Sequence, residues 1–343
     1  MSVPAGQGLL LGIESSCDET AAAVVRGGRE VLSDVVRSQN DAHAAWGGVV
    51  PEIAGRGHLD AIRPVLQEAM TAAAVRPEQL DAIAVTSRPG LLGSLLVGTT
   101  AAKSLAWAWR KPLVAVDHLQ AHVYAALMSR DSWEFPYVTL VVSGGHTSLY
   151  RTDSPLAHTL LGATRDDAAG EALDKAAKLL GLGYPGGPAI ETAGAQGDPR
   201  ALRFKLPMLG PDSLEFSFSG LKTALLYTLK GPGGRPEQPD LPGTAPLADV
   251  CASFEAAVAE TLARKCVRAC NATGVDRILV GGGVARNRRL RATLAAHARR
   301  EGLDAVFARP EHCTDNAAMI AGLGHAHWSA GRLAPLDFDV AAR

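Results

Sequence analysis

Membrane-length apolar runs, a disulfide framework and any surplus of charge are all missing from this chain, and each absence removes a class of protein. No apolar stretch reaches the ~20 residues that cross a bilayer, so there is no membrane partner. Met1 to Gly8 is too short and uncharged for a secretory leader. A cytoplasmic location is the expectation. The five cysteines (Cys17, Cys251, Cys266, Cys270, Cys313) are scattered and odd in number. With no CxxC among them, they fit free thiols in a reducing compartment better than a set of bridges. Lysine and arginine number 34 against 35 aspartates and glutamates, a net charge of −1. Contact with a nucleic acid must then come from a local basic patch or a helper protein. Aromatic residues are scarce, at 5%, whereas glycines number 36 and hydrophobic residues reach 47% of 343. That balance describes a compact α/β chain with one large core or two moderate ones.

Both halves open on the same pattern. Leu9 to Glu14 is an apolar strand that runs into the small polar turn Ser15-Ser-Cys-Asp-Glu-Thr20 and out into a second strand, Ala21 to Val25. Tyr137 to Val142 runs into Ser143-Gly-Gly-His-Thr147 and out into Ser148 to Arg151. A strand, small-residue turn and strand at two places argue for a duplicated unit with mixed sheets covered by helices. Helices are expected over Leu59–Ala74, Gly93–Trp109, Asp166–Leu180, from the turn after Ile278–Gly283 to about Arg300, and over Asp315–Trp328. Gly231 to Pro246, rich in Gly and Pro, reads as an exposed loop between two helices. A duplicated unit of this kind places its ligand in the cleft between halves, where Gly-rich turns offer N–H groups to phosphate.

His118 and His122 fall four residues apart on a helix that follows the apolar strand Pro112–Val116. That spacing puts two imidazoles on one helix face, about 5–6 Å between Cβ atoms, and suits two ligands of one divalent ion. Before the closing helix, Thr314 or Asp315 reads as an N-cap, and Asp315 is alternatively a hard oxygen donor completing a two-His, one-carboxylate set for iron(II) or zinc. His325 and His327, later on that helix, read as partly exposed side chains. Ser143-Gly144-Gly145 is either a tight hairpin turn or a place of close ligand approach. Gly281-Gly-Gly-Val-Ala-Arg-Asn287 sits between strand and helix, where nucleotides bind, yet is neither GxGxxG nor a Walker loop. Asp166 and Asp167 suit a first helical turn, while Glu171 and Asp174 are better placed for substrate. Arg286, Arg288, Arg289, Arg291, Arg299 and Arg300 make the next helix basic, a solvated face or a polynucleotide contact.

Taken together these strings resemble the TsaD (Gcp) family, the tRNA adenosine threonylcarbamoyltransferases of the actin/Hsp70/sugar-kinase (ASKHA) superfamily. The resemblance runs from Gly12-Ile-Glu-Ser-Ser-Cys-Asp-Glu-Thr20 through Gly47-Gly-Val-Val-Pro-Glu52, the histidine pair, Ser143–Thr147, Asp166–Glu171, Tyr184–Pro188 and Phe216–Thr223 to Cys313–Ala321. It implies a duplicated fold of two lobes around a nucleotide-binding cleft: residues 8–134, completed by 322–343, and residues 135–321 with the loop 231–246. It implies transfer of the threonylcarbamoyl group of threonylcarbamoyl-AMP to N6 of adenosine 37, in tRNAs reading codons that begin with A, with release of AMP. His118, His122 and Asp315 would hold one Fe2+ or Zn2+ ion. Val141, Val142, Ser143, Gly144, Gly145, Asp174, Gly187, Glu191 and Asn287 would bind the adenylate, or ATP or ADP. Asp18 or Glu19 is the choice for a base acting on the adenine amine. A TsaB-like paralogous subunit, a TsaE-like ATPase and tRNA are the implied partners.

Two positions depart from the family's pattern: Arg88 stands where glycine is usual before Pro89-Gly90-Leu91, and Arg286 where a small residue is common. The competing readings are a non-catalytic nucleotide-binding scaffold, a sugar kinase on fold alone, and a metalloprotease. The last is opposed by Leu119, since a zincin needs glutamate directly after its first histidine.

Overall fold

The computed structural model describes residues 8–130, 132–236 and 245–342. It divides into two compact units, Met1–Trp133 with Ser154–Ala157 and Thr314–Arg343, and Glu134–Asp153 with His158–Cys313. Asp315 and the closing helix thus belong to the first unit, although the sequence division starts its C-terminal contribution only at residue 322.

The strands are β1 (Leu9–Glu14), β2 (Glu19–Arg26), β3 (Glu30–Ser38), β4 (Ala82–Arg88), β5 (Leu113–Asp117), β6 (Tyr137–Val142), β7 (Thr147–Ser154), β8 (Ala157–Ala163), β9 (Arg277–Gly281) and β10 (Asp304–Phe307). The helices are α1 (Asn40–Ala44), α2 (Pro51–Ala72), α3 (Leu92–Trp109), α4 (His118–Leu127), α5 (Ala169–Leu179), α6 (Gly186–Ala193), α7 (Ser219–Lys230), α8 (Leu247–Thr273), α9 (Arg288–Glu301) and α10 (Ala317–Ser329). The first sheet runs β3-β2-β1-β4-β5 and the second β8-β7-β6-β9-β10. In each, the leading strand pairs antiparallel with the next and parallel with the one that returns through helices. Matching strand order and sense make the duplication a fact of the backbone.

β1 is buried on both faces, so alternation along it sorts neighbours rather than solvent. Leu11 and Ile13 join Val65 and Ala69 of α2, Ala102 and Ala106 of α3, and Val85 of β4 in one core. The opposite face meets α10 at very short range. A Cβ added to Gly12 would lie 2.3 Å from the Ala317 carbonyl oxygen, and one on Gly324 2.4 Å from the Ala84 Cβ. Only glycine allows that approach.

Several local expectations change. α5 starts at Ala169, so Asp166 and Asp167 precede it, and Asp166 instead caps α7. Asp166 accepts from the Phe218 and Ser219 amides and from both the Ser217 and Ser219 hydroxyls. Burial opposes its charge, but those four donors hold the carboxyl below its usual range. α10 is capped by Asn316, whose Oδ1 accepts from the Met319 amide at 2.9 Å. His325 is buried rather than partly exposed. Residues 231–236 and 245–246 do join α7 to α8, while 237–244 of the expected loop lie outside the described residues. No described helix is long and apolar enough to cross a membrane.

Candidate functional site

α4 carries both histidines because Asp117 starts it cleanly: its Oδ1 accepts from the Leu119 and Gln120 amides. Arg88, at the end of β4, reaches Asp117 Oδ2 at 3.3 Å, so the unusual cation braces the cap of the histidine helix. His118 and His122 are both buried, their rings perpendicular and 4.7 Å apart. With Asn316 capping α10, Asp315 is left to face them. Its Oδ1 lies 3.5 Å from His118 Nε2 and 3.2 Å from His122 Nε2, and the three ligand atoms fall within 4.8 Å of one another.

Neither ring nitrogen of His122 has a hydrogen-bond partner among the described residues, although the side chain is fully buried. The 3.2 Å approach to Asp315 lacks hydrogen-bond direction. A buried polar group without a partner costs about 1–3 kcal/mol, a cost that a coordinated cation removes. The donor set of two imidazoles and one carboxylate fits a divalent metal such as iron(II) or zinc(II).

Behind the ligands stands a group the sequence reading missed. Glu14, at the end of β1 and fully buried, lies 2.9 Å from His118 Nδ1 and accepts from the Thr86 hydroxyl at 2.6 Å and the Ser16 amide. A carboxylate on Nδ1 holds the ring with Nε2 toward Asp315, the arrangement outer carboxylates give zinc-binding histidines. The available signal was a lone acid closing an otherwise apolar strand. Burial alone would depress His118, but Asp315 and Glu14 override it and carry the imidazole up to about 9. Burial likewise works against the Glu14 charge, yet His118 beside it holds Glu14 below the usual carboxylate range.

The acidic turn lies in the same unit. Asp18 is 8% exposed. Burial, then the Asp315 and Asp18 charges, push Glu19 up to about 10, and its Oε1 accepts from the Ser38 hydroxyl.

The residues expected to hold the adenylate fall in the second unit: Val141 to Gly145 and Asn287 at or beyond the carboxyl ends of the parallel pair β6 and β9, where open α/β sheets bind ligands, and Asp174, Gly187 and Glu191 on α5 and α6. Val141 pairs with Gly281. Gly282 has φ of +93°, and a Cβ there would sit 2.3 Å from the Val142 carbonyl oxygen, so that turn is glycine for reasons of the fold. Gly144 and Gly145 are different. Neither takes a positive φ, and a Cβ on either would meet nothing within 4 Å. The hairpin therefore does not require them, which favours close ligand approach. Asp174 Oδ1 accepts from the Gly186 amide at the start of α6, next to Gly187. Glu191 Oε1 accepts from Arg288, backbone and side chain. Asn287 caps α9 through Leu290 and donates to Glu255 at 2.6 Å.

Glu171 is taken up by Lys175 rather than left open, at 3.0 Å. The arginine-rich helix is not simply a solvated face. Arg289 pairs with buried Glu255, and Arg291 donates to the Ala285 and Ala308 carbonyls while lying over the Phe307 ring. Arg286, Arg299 and Arg300 are exposed.

Duplicated sheets of this order with glycine turns at the strand ends place the molecule among ASKHA-fold α/β proteins. Solved structures agree on the fold. HypF of T. kodakarensis matches 96% of this chain and 49% of its own, at TM-score 0.63 and 17% identity. Component A of the Acidaminococcus fermentans (R)-2-hydroxyglutaryl-CoA dehydratase matches 94% and 100%, at TM-score 0.55 and 14% identity. The family model for TsaD, tRNA N6-adenosine threonylcarbamoyltransferase, matches residues 30–322. The protein of that name from Anaeromyxobacter sp. (strain Fw109-5) is 52% identical over 332 residues, covering 96% of this chain and 98% of its own. Its namesake from Sorangium cellulosum (strain So ce56) is 53% identical over 348 residues, covering 97% and 96%. The chain belongs to the TsaD family.

Proposed function

We propose that this protein transfers the threonylcarbamoyl group of threonylcarbamoyl-AMP to N6 of adenosine 37 in tRNAs that read codons beginning with A, releasing AMP. The observation that carries the reading is the buried His118, His122 and Asp315 set, with His122 unpartnered and Glu14 fixed behind His118. The N6–carbamoyl bond forms as the bond between the carbamoyl carbon and the phosphate oxygen breaks, and the N6 proton leaves. Held by His118, His122 and Asp315, an iron or zinc ion would supply Lewis-acid stabilisation of the charge that develops on the acyl phosphate. Amides of the Ser143–Gly145 turn are suited to the adenylate's phosphate, and the open space at Gly144 and Gly145 admits it. Asp174, Gly187, Glu191 and Asn287 then contact the nucleoside. Asp18 or Glu19 is the acceptor for the N6 proton. Burial is the largest push on Glu19 and the Asp315 charge the next, so a cation held at Asp315 would ease its ionisation. ATP or ADP is a second ligand for the same turns. The working assembly includes a TsaB-like subunit, a TsaE-like ATPase and tRNA, in the cytoplasm.

The test is formation of modified adenosine from threonine, bicarbonate, ATP and unmodified tRNA, with partner subunits, by wild type and His118→Ala. Product from wild type and little from the variant is expected. Equal product would remove the metal mechanism and leave the transfer standing. No product from either, with partners shown to be competent, would leave a nucleotide-binding scaffold.

A further inference from the structure

His58 projects from α2 with none of its surface exposed and with both ring nitrogens engaged. Nε2 lies 2.9 Å from the Cys17 carbonyl oxygen, and Nδ1 lies 2.7 Å from the Thr20 hydroxyl. A carbonyl oxygen only accepts, so Nε2 carries the hydrogen and Nδ1 accepts from the Thr20 O–H. Burial holds the imidazole below its usual range, which keeps this neutral form. Its two partners are the residues immediately before and immediately after Asp18-Glu19. One rigid ring therefore grips the acidic dipeptide at both ends.

Backbone anchors complete the grip. The Ser94 hydroxyl also donates to the Cys17 carbonyl, at 3.3 Å. The Leu91 amide donates to the Ser16 carbonyl at 2.8 Å, and the Gln39 amide to the Asp18 carbonyl at 3.0 Å. Each of these holds one point of the turn. Among the described residues, His58 is the side chain that holds it on both sides of the two carboxylates.

We propose that His58 is a positioning residue for acyl transfer, bracketing Asp18 and Glu19 so that their carboxylates keep a fixed placement beside Asp315. The proposal rests on the reading of Asp18 or Glu19 as the proton acceptor. Displacing a catalytic group by about 1 Å costs up to about 10²-fold in rate, so a loosened bracket acts on turnover rather than on tRNA binding. Glutamine carries an NH2 donor and a carbonyl acceptor on one carbon, spaced much like the ring's Nε2–H and Nδ1 about Cε1, and so is the variant suited to keep a donor toward Cys17 and an acceptor toward Thr20. Leucine fills the space and keeps neither.

The experiment compares wild type, His58→Leu and His58→Gln in the complete transfer system. Thermal midpoints and hydrogen exchange at the Leu91 and Gln39 amides are measured in the same proteins. His58→Leu is expected to lose about 10²-fold in kcat with little change in KM for tRNA, and to exchange faster at both amides. His58→Gln is expected to stay within about tenfold of wild type, the worth of one imperfect hydrogen bond. Wild-type kcat in His58→Leu would overturn the proposal. So would wild-type exchange at both amides, or a glutamine variant as slow as leucine with the same midpoint loss, which is the signature of a merely structural role. Should His58→Leu not fold, Thr20→Val removes the Nδ1 contact alone, and unchanged kcat there would also overturn it. If wild type forms no modified adenosine, the transfer reading fails, while the exchange comparison still decides whether His58 holds the turn.

Discussion

A metal held by His118 would compete with a proton for its ring, and the competition would have a predictable size. In the metal-free protein Asp315 and Glu14 carry His118 up to about 9 against the burial that opposes them. At pH 7 the ring is then about two pH units below its titration point, so about 99% of molecules must give up a proton before coordinating. That lowers the apparent affinity for a divalent ion about 100-fold. Affinity should rise about tenfold per pH unit from pH 7 to about 9 and then level off, with close to one proton released per ion below that point. Zinc or cobalt affinity measured against a chromophoric chelator tests the first statement, and calorimetry in buffers of different ionisation enthalpy counts the protons. Glu14→Gln sharpens the test. It removes one source of the raised titration point, and it also removes the carboxylate that orients the ring, at a cost of about 10–100-fold in affinity. The two effects oppose each other near pH 7, so the variant's deficit should grow with pH and be largest above pH 9. Flat wild-type affinity between pH 7 and 9 without proton release, or a deficit in the variant independent of pH, would refute the account.

Three other outcomes follow from particular contacts. His122→Leu removes two unpartnered buried nitrogens, so the metal-free protein should melt no lower than wild type while metal uptake and transfer are lost; calorimetric melts and metal analysis check this. Arg88→Gly, which restores the family's usual residue, breaks an ion pair whose arginine is 59% exposed. It should change denaturant stability by less than about 1 kcal/mol and leave kcat in place. Asn287→Ala loses the cap of α9 and a donor to buried Glu255, and should cost about 2 kcal/mol in urea unfolding. Asn287→Asp keeps the cap but sets two carboxylates against each other, so it should be the less stable of the pair.

Features carried by neighbours in sequence were legible without a structure. The paired strand–turn–strand units match β1/β2 and β6/β7, and the helix spacing of His118 and His122 matches α4. What stayed hidden depends on contacts between distant residues, which leave no local period. Glu14 reaches His118 across 104 residues, and Asp166 reaches Ser217 across 51. The alternatives for Asp315 turned on whether Thr314 or Asp315 caps α10, and Asn316 makes that bond instead of either. The arginines after Gly283 looked like a solvated stripe because α9 alone does not reveal Glu255 on α8, or the Ala308 carbonyl beyond β10, as inward partners.

The first unit is built from both ends of the chain, with α10 closing over β1 at the glycine contacts described above. During synthesis its strands leave the ribosome long before that helix exists. Until it arrives, the face of β1 that receives α10 stays uncovered, and Asp315 cannot join the two histidines. An ion held by His118, His122 and Asp315 would therefore load late, only once Asp315 has been made. Products stalled before α10 would leave that face of β1 exposed to the cell's quality control.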